Sequence, residues 1–289
     1  MSSTTWLGLA IAFTSSAFNN ASYFVQHRAL GDGPDIQISR PIKSIRQMFG
    51  SPVWLLGALS GVAGMVLYVV ALDYAPLSLV QVFLAGGLIL TVPLSVWITH
   101  HSPTSGELRG AALMTLALVL LGVGSKAAGP TNDFEWQVLT LFIAVVAAVG
   151  AAVVMLVRGS RRAEAIGLVG GLMFGVSDAL FNALVGVFHI GHLVGLIESP
   201  WTYICIATSL AAFSAFQTAL QKGRGKALGV VALMTAGTNV TAIAAGFLVF
   251  GDSLGKTPAW AGIHLICFLA VGLAAWMLAP AQVAVEVGA

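Results

Sequence analysis

Long apolar segments separated by short polar connections run along the whole chain. A hydropathy window of about 19 residues finds nine of them, at about 5–26, 53–72, 77–99, 107–125, 136–157, 163–188, 200–220, 227–250 and 259–279. Because a helix needs roughly 20 apolar residues to cross the hydrocarbon core of a bilayer, this pattern predicts an all-α polytopic membrane protein. The expected number of transmembrane helices is nine.

The composition excludes an ordinary water-soluble domain. Charged residues make up 8% of the 289 residues and apolar residues 58%, against about 25% and 45–50% in soluble domains. The mean hydropathy is +0.93. We therefore expect one integral-membrane domain over 1–289, located in the cell (plasma or inner) membrane. Cys205 and Cys267 lie inside apolar segments, where a thiol behaves as a small hydrophobic group.

Basic residues predict the orientation of the helices. Lys126 and Lys256 would lie on one side of the membrane, and eleven of the 13 Lys and Arg residues on the other. These eleven are Arg28, Arg40, Lys43, Arg46, Arg109, Arg158, Arg161, Arg162, Lys222, Arg224 and Lys226. Since cytoplasmic loops are enriched in positive charge, we expect the N-terminus outside and the C-terminus in the cytoplasm.

Two segments near the N-terminus need separate interpretation. No Lys or Arg precedes the first apolar segment, so we interpret it as a membrane anchor and not as a signal peptide. Residues 27–52 form a basic loop, expected in the cytoplasm. Within this loop, the helical spacing of apolar residues at 38–49 predicts either an interfacial helix or an extension of the second span.

A weak internal repeat relates the two parts of the chain. An offset of 159 places Asn19 on Asp178, and an offset of 148 places the third span beneath the eighth. Helices one to four thus match helices six to nine, and each matched pair enters the membrane from opposite sides. The pattern predicts an inverted-topology repeat of four plus five helices, with repeats at about 5–125 and 136–279.

Three stretches carry a resemblance to a known transporter family. They are the LGL to SS stretch at 7–16, YAPLSLV at 74–80 and FQTALQK at 216–222. With the order of spans, they make the chain resemble the drug/metabolite transporter (DMT) superfamily, in its NIPA-like magnesium transporter or EamA-like branch. The chain departs from the NIPA pattern at Asn19–Ser22 and Gln81. It has His100-His101 where the superfamily shows a glutamate, and Asp252 at the matching place in the second half.

Polar residues inside the apolar segments are the candidates for a substrate or ion pathway, because they cost free energy in lipid unless they pair or line water. The candidates are Asn19, Asn20, Tyr23, Gln81, Asp178, Asn182, Gln217, Thr238 and Asn239. The alternative is that such groups only bond neighbouring helices. Under that alternative, Gly167, Gly171 and Gly175 serve close backbone contact.

Asp178 is the carboxylate that lies deepest inside an apolar segment, roughly 20 Å along its helix. This position predicts that the Asp178 carboxyl group exchanges a proton or a cation as access alternates. The alternative is a carboxyl group held by Asn or Thr of a neighbouring helix. Gly86, Gly87, Pro93 and Gly237 mark expected hinges in the third and eighth helices, since proline and glycine interrupt helices. His100-His101 and the pair His189 and His192 are expected to be solvated at the membrane boundary.

These features favour a secondary transporter that moves a small solute by alternating access. Because the sequence has no phosphate-binding G-x-x-x-x-G-K-[ST] loop, gradients and not ATP would drive it. We expect no enzymatic activity, no cofactor, no metal centre and no nucleic-acid partner. The expected partners are membrane lipid and a small solute or cation, with protons and a second copy of the chain as open alternatives.

Three other functions stay open. The family resemblance implies transport of Mg²⁺ or another divalent cation. A membrane scaffold or accessory subunit without transport is an alternative of another class. A lipid carrier or intramembrane enzyme is a weaker one, because lipid handling needs a lateral opening and an enzyme needs a constellation of reactive groups.

Overall fold

The structure of the chain is a computed structural model that describes residues 2–31, 50–90, 92–93, 103–124, 130–222, 227–253 and 255–287. Within these residues the secondary structure is helical, and no strand is present. The predicted features at 38–49 and His100-His101 lie outside the described residues. The basic loop 27–52 lies mostly outside them.

Nine α-helices occur in the described part of the chain. They are α1 (Ser3–Gly31), α2 (Pro52–Leu72), α3 (Leu77–Gly86), α4 (Ser105–Gly124), α5 (Trp136–Leu156), α6 (Arg162–Glu198), α7 (Pro200–Lys222), α8 (Ala227–Leu248) and α9 (Pro258–Val287). A 3-10 turn, Gly87–Leu90, continues α3 directly, and a second one, Gly159–Arg161, precedes α6.

Local sequence explains where several helices begin. Ser51 accepts a hydrogen bond from the backbone N–H of Trp54 and is followed by Pro52 at the first helical position of α2, a residue that needs no N–H donor there. At α4, the Thr104 N–H donates to the Glu107 carboxylate at 2.6 Å, and the Glu107 N–H donates to the Thr104 hydroxyl at 3.2 Å. This reciprocal pair is a capping box.

Five helical segments are long and apolar enough to cross a membrane, among the residues that the structure describes. They lie at 52–72, 105–123, 136–156, 162–189 and 258–280. A bent pair, His192–Glu198 and Pro200–Phe216, makes a sixth if it forms one span. An all-helical multi-pass membrane protein is thus confirmed in outline, while nine spans, the repeat and the orientation stay predictions.

Two predicted spans depart from a regular apolar helix. The helix α1 carries a row of polar side chains, among them Ser15, Ser16, Asn19 and Asn20, which lower its hydropathy. The segment 77–90 changes from α-helix to 3-10 turn at Gly87.

The helix α3 lies at the centre of the bundle. It contacts α1 and α2 on one side and α4, α8 and α9 on the others. Because every residue from Leu77 to Val82 is buried, this helix has no solvated or lipid-facing side along those turns. The helices α1 and α2 pack together, α6 packs on α7 and α8, and α4 packs on α9.

Small residues bring α6 and α8 into direct backbone contact. A Cβ added at Gly171 would overlap the Met234 carbonyl oxygen, and one at Gly175 would lie 2.7 Å from the Thr238 carbonyl oxygen. A Cβ at Gly167 would lie 3.0 Å from the Val230 carbonyl oxygen. These three glycines serve close helix packing, as the structural interpretation of the stripe proposes.

Replacing Gly171 by Ala is expected to push α6 and α8 apart and to lower the free energy of unfolding by about 1–3 kcal/mol. Gly272→Ala in α9 is the matched control, because a Cβ there meets nothing within 4 Å. Thermal unfolding of both variants in detergent tests this. Equal melting temperatures for the two variants would contradict the packing argument.

Candidate ion and substrate site

The first turn of α3 is held by an acidic side chain from the other half of the chain. Pro76 precedes the helix and provides no side-chain cap. Instead, the Ser78 backbone N–H donates to Oδ2 of Asp252 at 2.9 Å, and the Thr131 hydroxyl donates to Oδ1 of the same carboxylate. Since the first N–H groups of a helix have no partner within the helix, Asp252 supplies the cap that α3 lacks.

Asp252 lies in the connection between α8 and α9 and is only 7% exposed. Burial raises the pKa of this carboxyl above its ordinary value, and the hydrogen bonds from Ser78 and Thr131 oppose that rise. A carboxylate also complements the positive end of the helix dipole. The side chain therefore connects α3 and the end of α8 to the segment 130–135, which contains Thr131.

Two polar side chains of α1 hold the other end of α3. The Ser16 hydroxyl donates to the Leu84 carbonyl oxygen at 2.7 Å, and Nδ2 of Asn20 donates to the Gly87 carbonyl oxygen at 3.2 Å. A Cβ added at Gly87 would overlap the Ser16 hydroxyl. The break at Gly86 and Gly87 is thus stabilised by donors from a neighbouring helix, which is how interrupted helices persist away from water.

Between these two ends, a polar cluster contains Tyr68 of α2, Gln81 of α3 and Asp178 of α6. The Gln81 side-chain amide donates to the Tyr68 hydroxyl oxygen at 3.0 Å. The Asp178 carboxyl group lies beside the Tyr68 hydroxyl and the Gln81 amide, and both are close enough to interact with its charge. Tyr68 and Gln81 are 6% and 3% exposed, and Asp178 is partly buried.

The chemistry of this Tyr68–Gln81–Asp178 cluster follows from its charge. Among the described residues, no Lys or Arg forms a salt bridge with Asp178. Neutral donors alone surround the carboxylate, so a proton or a bound cation is what would neutralise it. Tyr68 also packs edge-on against Phe181, with ring centroids 6.1 Å apart.

Asn182 lies one helical turn beyond Asp178, and its side chain contacts the segment 130–135. Its Nδ2 donates to the Thr131 carbonyl oxygen at 2.8 Å. The Oδ1 atoms of Asn182 and Asn132 are buried, and neither has a hydrogen-bond partner among the described residues. Two amide oxygens are thus left available near the Asp252 carboxylate.

The remaining predicted site residues lie in other contacts. Asn19 packs against Gly64 of α2, where an added Cβ would overlap its Oδ1. The Thr238 hydroxyl donates to the Met234 carbonyl oxygen of its own helix at 3.0 Å. Asn239 is buried, and its Nδ2 has no partner among the described residues.

The predicted hinge residues Gly237 and Pro93 lie in different surroundings. A Cβ added at Gly237 would lie 3.0 Å from the Leu168 carbonyl oxygen, so this glycine also permits contact between α8 and α6. Pro93 lies just beyond the 3-10 turn and is exposed. The side chains of Tyr23 and Gln217 lie outside the described part of the chain.

The structure therefore brings together Gln81 and Asp178, and places Asn20 of α1 against Gly87 at the end of α3. Sequence reasoning missed Tyr68 and Thr131. Tyr68 had a usable signal, because a hydroxyl inside an otherwise apolar helix needs a hydrogen-bond partner. Thr131 had none, because it lies in a connection and its contacts are far away in the sequence.

Two known proteins are similar to this chain. An uncharacterized protein of Corynebacterium glutamicum is 28% identical over 207 residues, which cover 70% of this chain and 70% of that protein. The probable magnesium transporter NIPA9 of Arabidopsis thaliana is 21% identical over 287 residues, 94% of this chain and 82% of that protein. No protein-family model matches the chain. No solved structure matches it.

The distant similarity to a probable magnesium transporter and the apolar helices together indicate a multi-pass membrane transporter. This agrees with the broad class that the sequence predicts.

Replacing Ser16 by Ala is expected to remove the side-chain donor to the Leu84 carbonyl oxygen, which keeps the Gly87 N–H, at a cost of about 0.5–1.5 kcal/mol in unfolding free energy. Amide hydrogen exchange should also become faster across 84–90. Thr14→Ala is the matched control on the same helix, because the Thr14 hydroxyl bonds only the Ala10 carbonyl of its own helix. Unchanged exchange in Ser16→Ala would contradict the role of α1 in holding α3.

Asp252→Asn is expected to change how stability depends on pH. Because the pKa of Asp252 is raised in the folded protein, folding favours its protonated form, and its ionisation destabilises the fold as pH rises above the ordinary value of 3.8. The melting temperature of the wild type relative to Asp252→Asn should therefore fall as the pH rises above about 4.

Asp133→Asn is the control for this measurement, because Asp133 is exposed and lies two residues from Thr131 in the connection between α4 and α5. Its melting temperature should follow that of the wild type at every pH. A difference between wild type and Asp252→Asn that stays flat or rises with pH would contradict the burial of this carboxylate.

Proposed function

We propose that the chain is a secondary transporter of the DMT type, which moves a small solute across the membrane by alternating access and is driven by an ion gradient. The two moving units are the helices α1–α4 and α6–α9, related as an inverted repeat. The N-terminus lies outside and the C-terminus in the cytoplasm. The proposal includes no enzymatic step.

The observation that carries the proposal is the contact of Asp178 with Tyr68 and Gln81. Asp178 belongs to the second unit, and its two partners belong to the first. A proton or cation that binds the carboxylate competes with its interactions with Tyr68 and Gln81, so its binding favours one arrangement of the units over the other. This is the differential interaction that gradient coupling requires.

The interrupted helix α3 supports the same proposal. Transporter sites typically lie where interrupted helices of the two repeats meet. The break at Gly87 and the Gln81 side chain belong to the same short helix, which contacts α8 directly. Motion at the break would thus be transmitted to the Tyr68–Gln81–Asp178 cluster.

Mg²⁺ transport is the second candidate function, and two observations favour it. The similarity to the probable magnesium transporter NIPA9 covers 94% of the chain. The unpartnered amide oxygens of Asn132 and Asn182 are hard ligands of the kind that Mg²⁺ accepts together with carboxylates and water. In this candidate, Mg²⁺ itself is the cargo.

Purified protein in liposomes tests the proposal, with a pH-sensitive dye and a Mg²⁺-sensitive dye inside the same vesicles. Wild type should dissipate an imposed proton gradient when an organic solute is added. Asp178→Asn should reduce this flux to the level of empty liposomes. Asp133→Asn, which removes an exposed carboxylate, should transport like the wild type.

The other outcomes separate the candidates. Mg²⁺ entry above the level of empty liposomes, retained in part by Asp178→Asn, would favour Mg²⁺ transport. Full, pH-dependent transport by Asp178→Asn would refute Asp178 as the carrier of the coupling ion. Absence of both fluxes would favour the scaffold or accessory-subunit alternative.

A further inference from the structure

A lateral cavity of about 450 Å³ lies between α2, α6 and the beginning of α7. Its walls are apolar, with side chains such as Val69, Phe181, Leu184 and Val185. The polar lining residues are Asp73, His189 and Thr202. A volume of this size, with apolar walls and a few polar groups, is typical of small-ligand sites.

Two polar residues of this lateral cavity, Asp73 and His189, form a pair at the helix ends. Nε2 of His189 lies 2.9 Å from Oδ1 of Asp73. The two side chains are 50% and 40% exposed, and Asp73 is the residue at which α2 ends. The pair therefore lies at the level of the helix ends, where a lipid headgroup lies in a bilayer.

The cavity runs from this pair toward the middle of the bundle. From His189 to Phe181 there are eight residues of α6, a length of about 12 Å. Phe181 lies at the inner end and packs on Tyr68. The distance of about 12 Å between the Asp73–His189 pair and Phe181 is thus long enough for an extended apolar chain.

Large exposed apolar side chains lie on the two helices, α2 and α6, that line the cavity. Val66 and Val70 of α2 are 56% and 38% exposed, and Leu193, Val194 and Ile197 at the end of α6 are 62–68% exposed. Such residues face hydrocarbon in a membrane protein. His192, whose positive φ of 51° interrupts α6, lies three residues beyond the lining residue His189.

We infer that this lateral cavity binds a membrane phospholipid with a zwitterionic ethanolamine headgroup. One acyl chain lies among the apolar walls. The primary ammonium group, whose N–H donors a choline headgroup lacks, donates to the Asp73 carboxylate, and the phosphate group lies beside the His189 imidazole. The exposed apolar surface of α2 and α6 is the path by which the chain enters from the bilayer.

Native mass spectrometry of the full chain tests the inference, after reconstitution in nanodiscs of phosphatidylethanolamine, phosphatidylcholine and phosphatidylglycerol in equal parts. Wild type should retain phosphatidylethanolamine in preference to the other two lipids. Asp73→Asn should weaken this preference by roughly twofold to fivefold, because the pair is half-exposed.

Val70→Trp is the variant that fills the cavity, and it should lose the retained lipid. Val66→Trp is its matched control, because it makes the same change one turn away on α2, outside the cavity lining. Circular dichroism and gel filtration of both variants confirm that each is folded. The assay measures binding and not flux, so its result is independent of the proposed transport function.

A second readout uses phosphatidylethanolamine with a photoreactive group on its acyl chain. Crosslinks to the peptide that contains Phe181, Leu184 and Val185 would support the inference. Equal lipid retention by Val70→Trp and wild type, crosslinks confined to the exposed side chains of α2, or equal retention of all three lipids by the wild type would each overturn it.

Discussion

The fold depends on a short helix, α3, that is buried from Leu77 to Val82 and whose two ends lie inside the bundle. In a hydrocarbon environment a helix end must find hydrogen-bond partners within the protein. Here Asp252 serves the first turn, and Ser16 and Asn20 serve the break at Gly87. Partners for one helix thus come from both parts of the chain, and this joins α1 to the end of α8.

The same arrangement places the functional chemistry. Gln81 lies between the two satisfied ends of α3, where it contacts Tyr68 and Asp178. A carboxylate at this position is tolerated because hydroxyl and amide donors replace water around it. Its lack of a basic partner among the described residues makes it responsive to a proton or a cation. Structural support and ion binding therefore share one helix.

Much of this architecture was predictable from the sequence, and the rest was not for physical reasons. Apolar runs of helical length predict the helices, and the bounds of α2, α5 and α8 agree with the predicted ones within a few residues. The glycine stripe of α6 predicted a close contact, but only the structure shows α8 as its partner. The contact of Asp252 with Ser78 joins residues 174 positions apart, which no local pattern encodes.

The most direct test of this account is a double-mutant cycle between Gln81→Leu and Asp178→Asn, measured as unfolding free energy in mixed micelles. If the two side chains interact as described, the effects of the single changes will not add, and the coupling energy will be about 0.5–3 kcal/mol. Additive effects within about 0.3–0.5 kcal/mol would mean that Asp178 does not contact α3 through Gln81. The account of a shared structural and ion-binding helix would then be wrong.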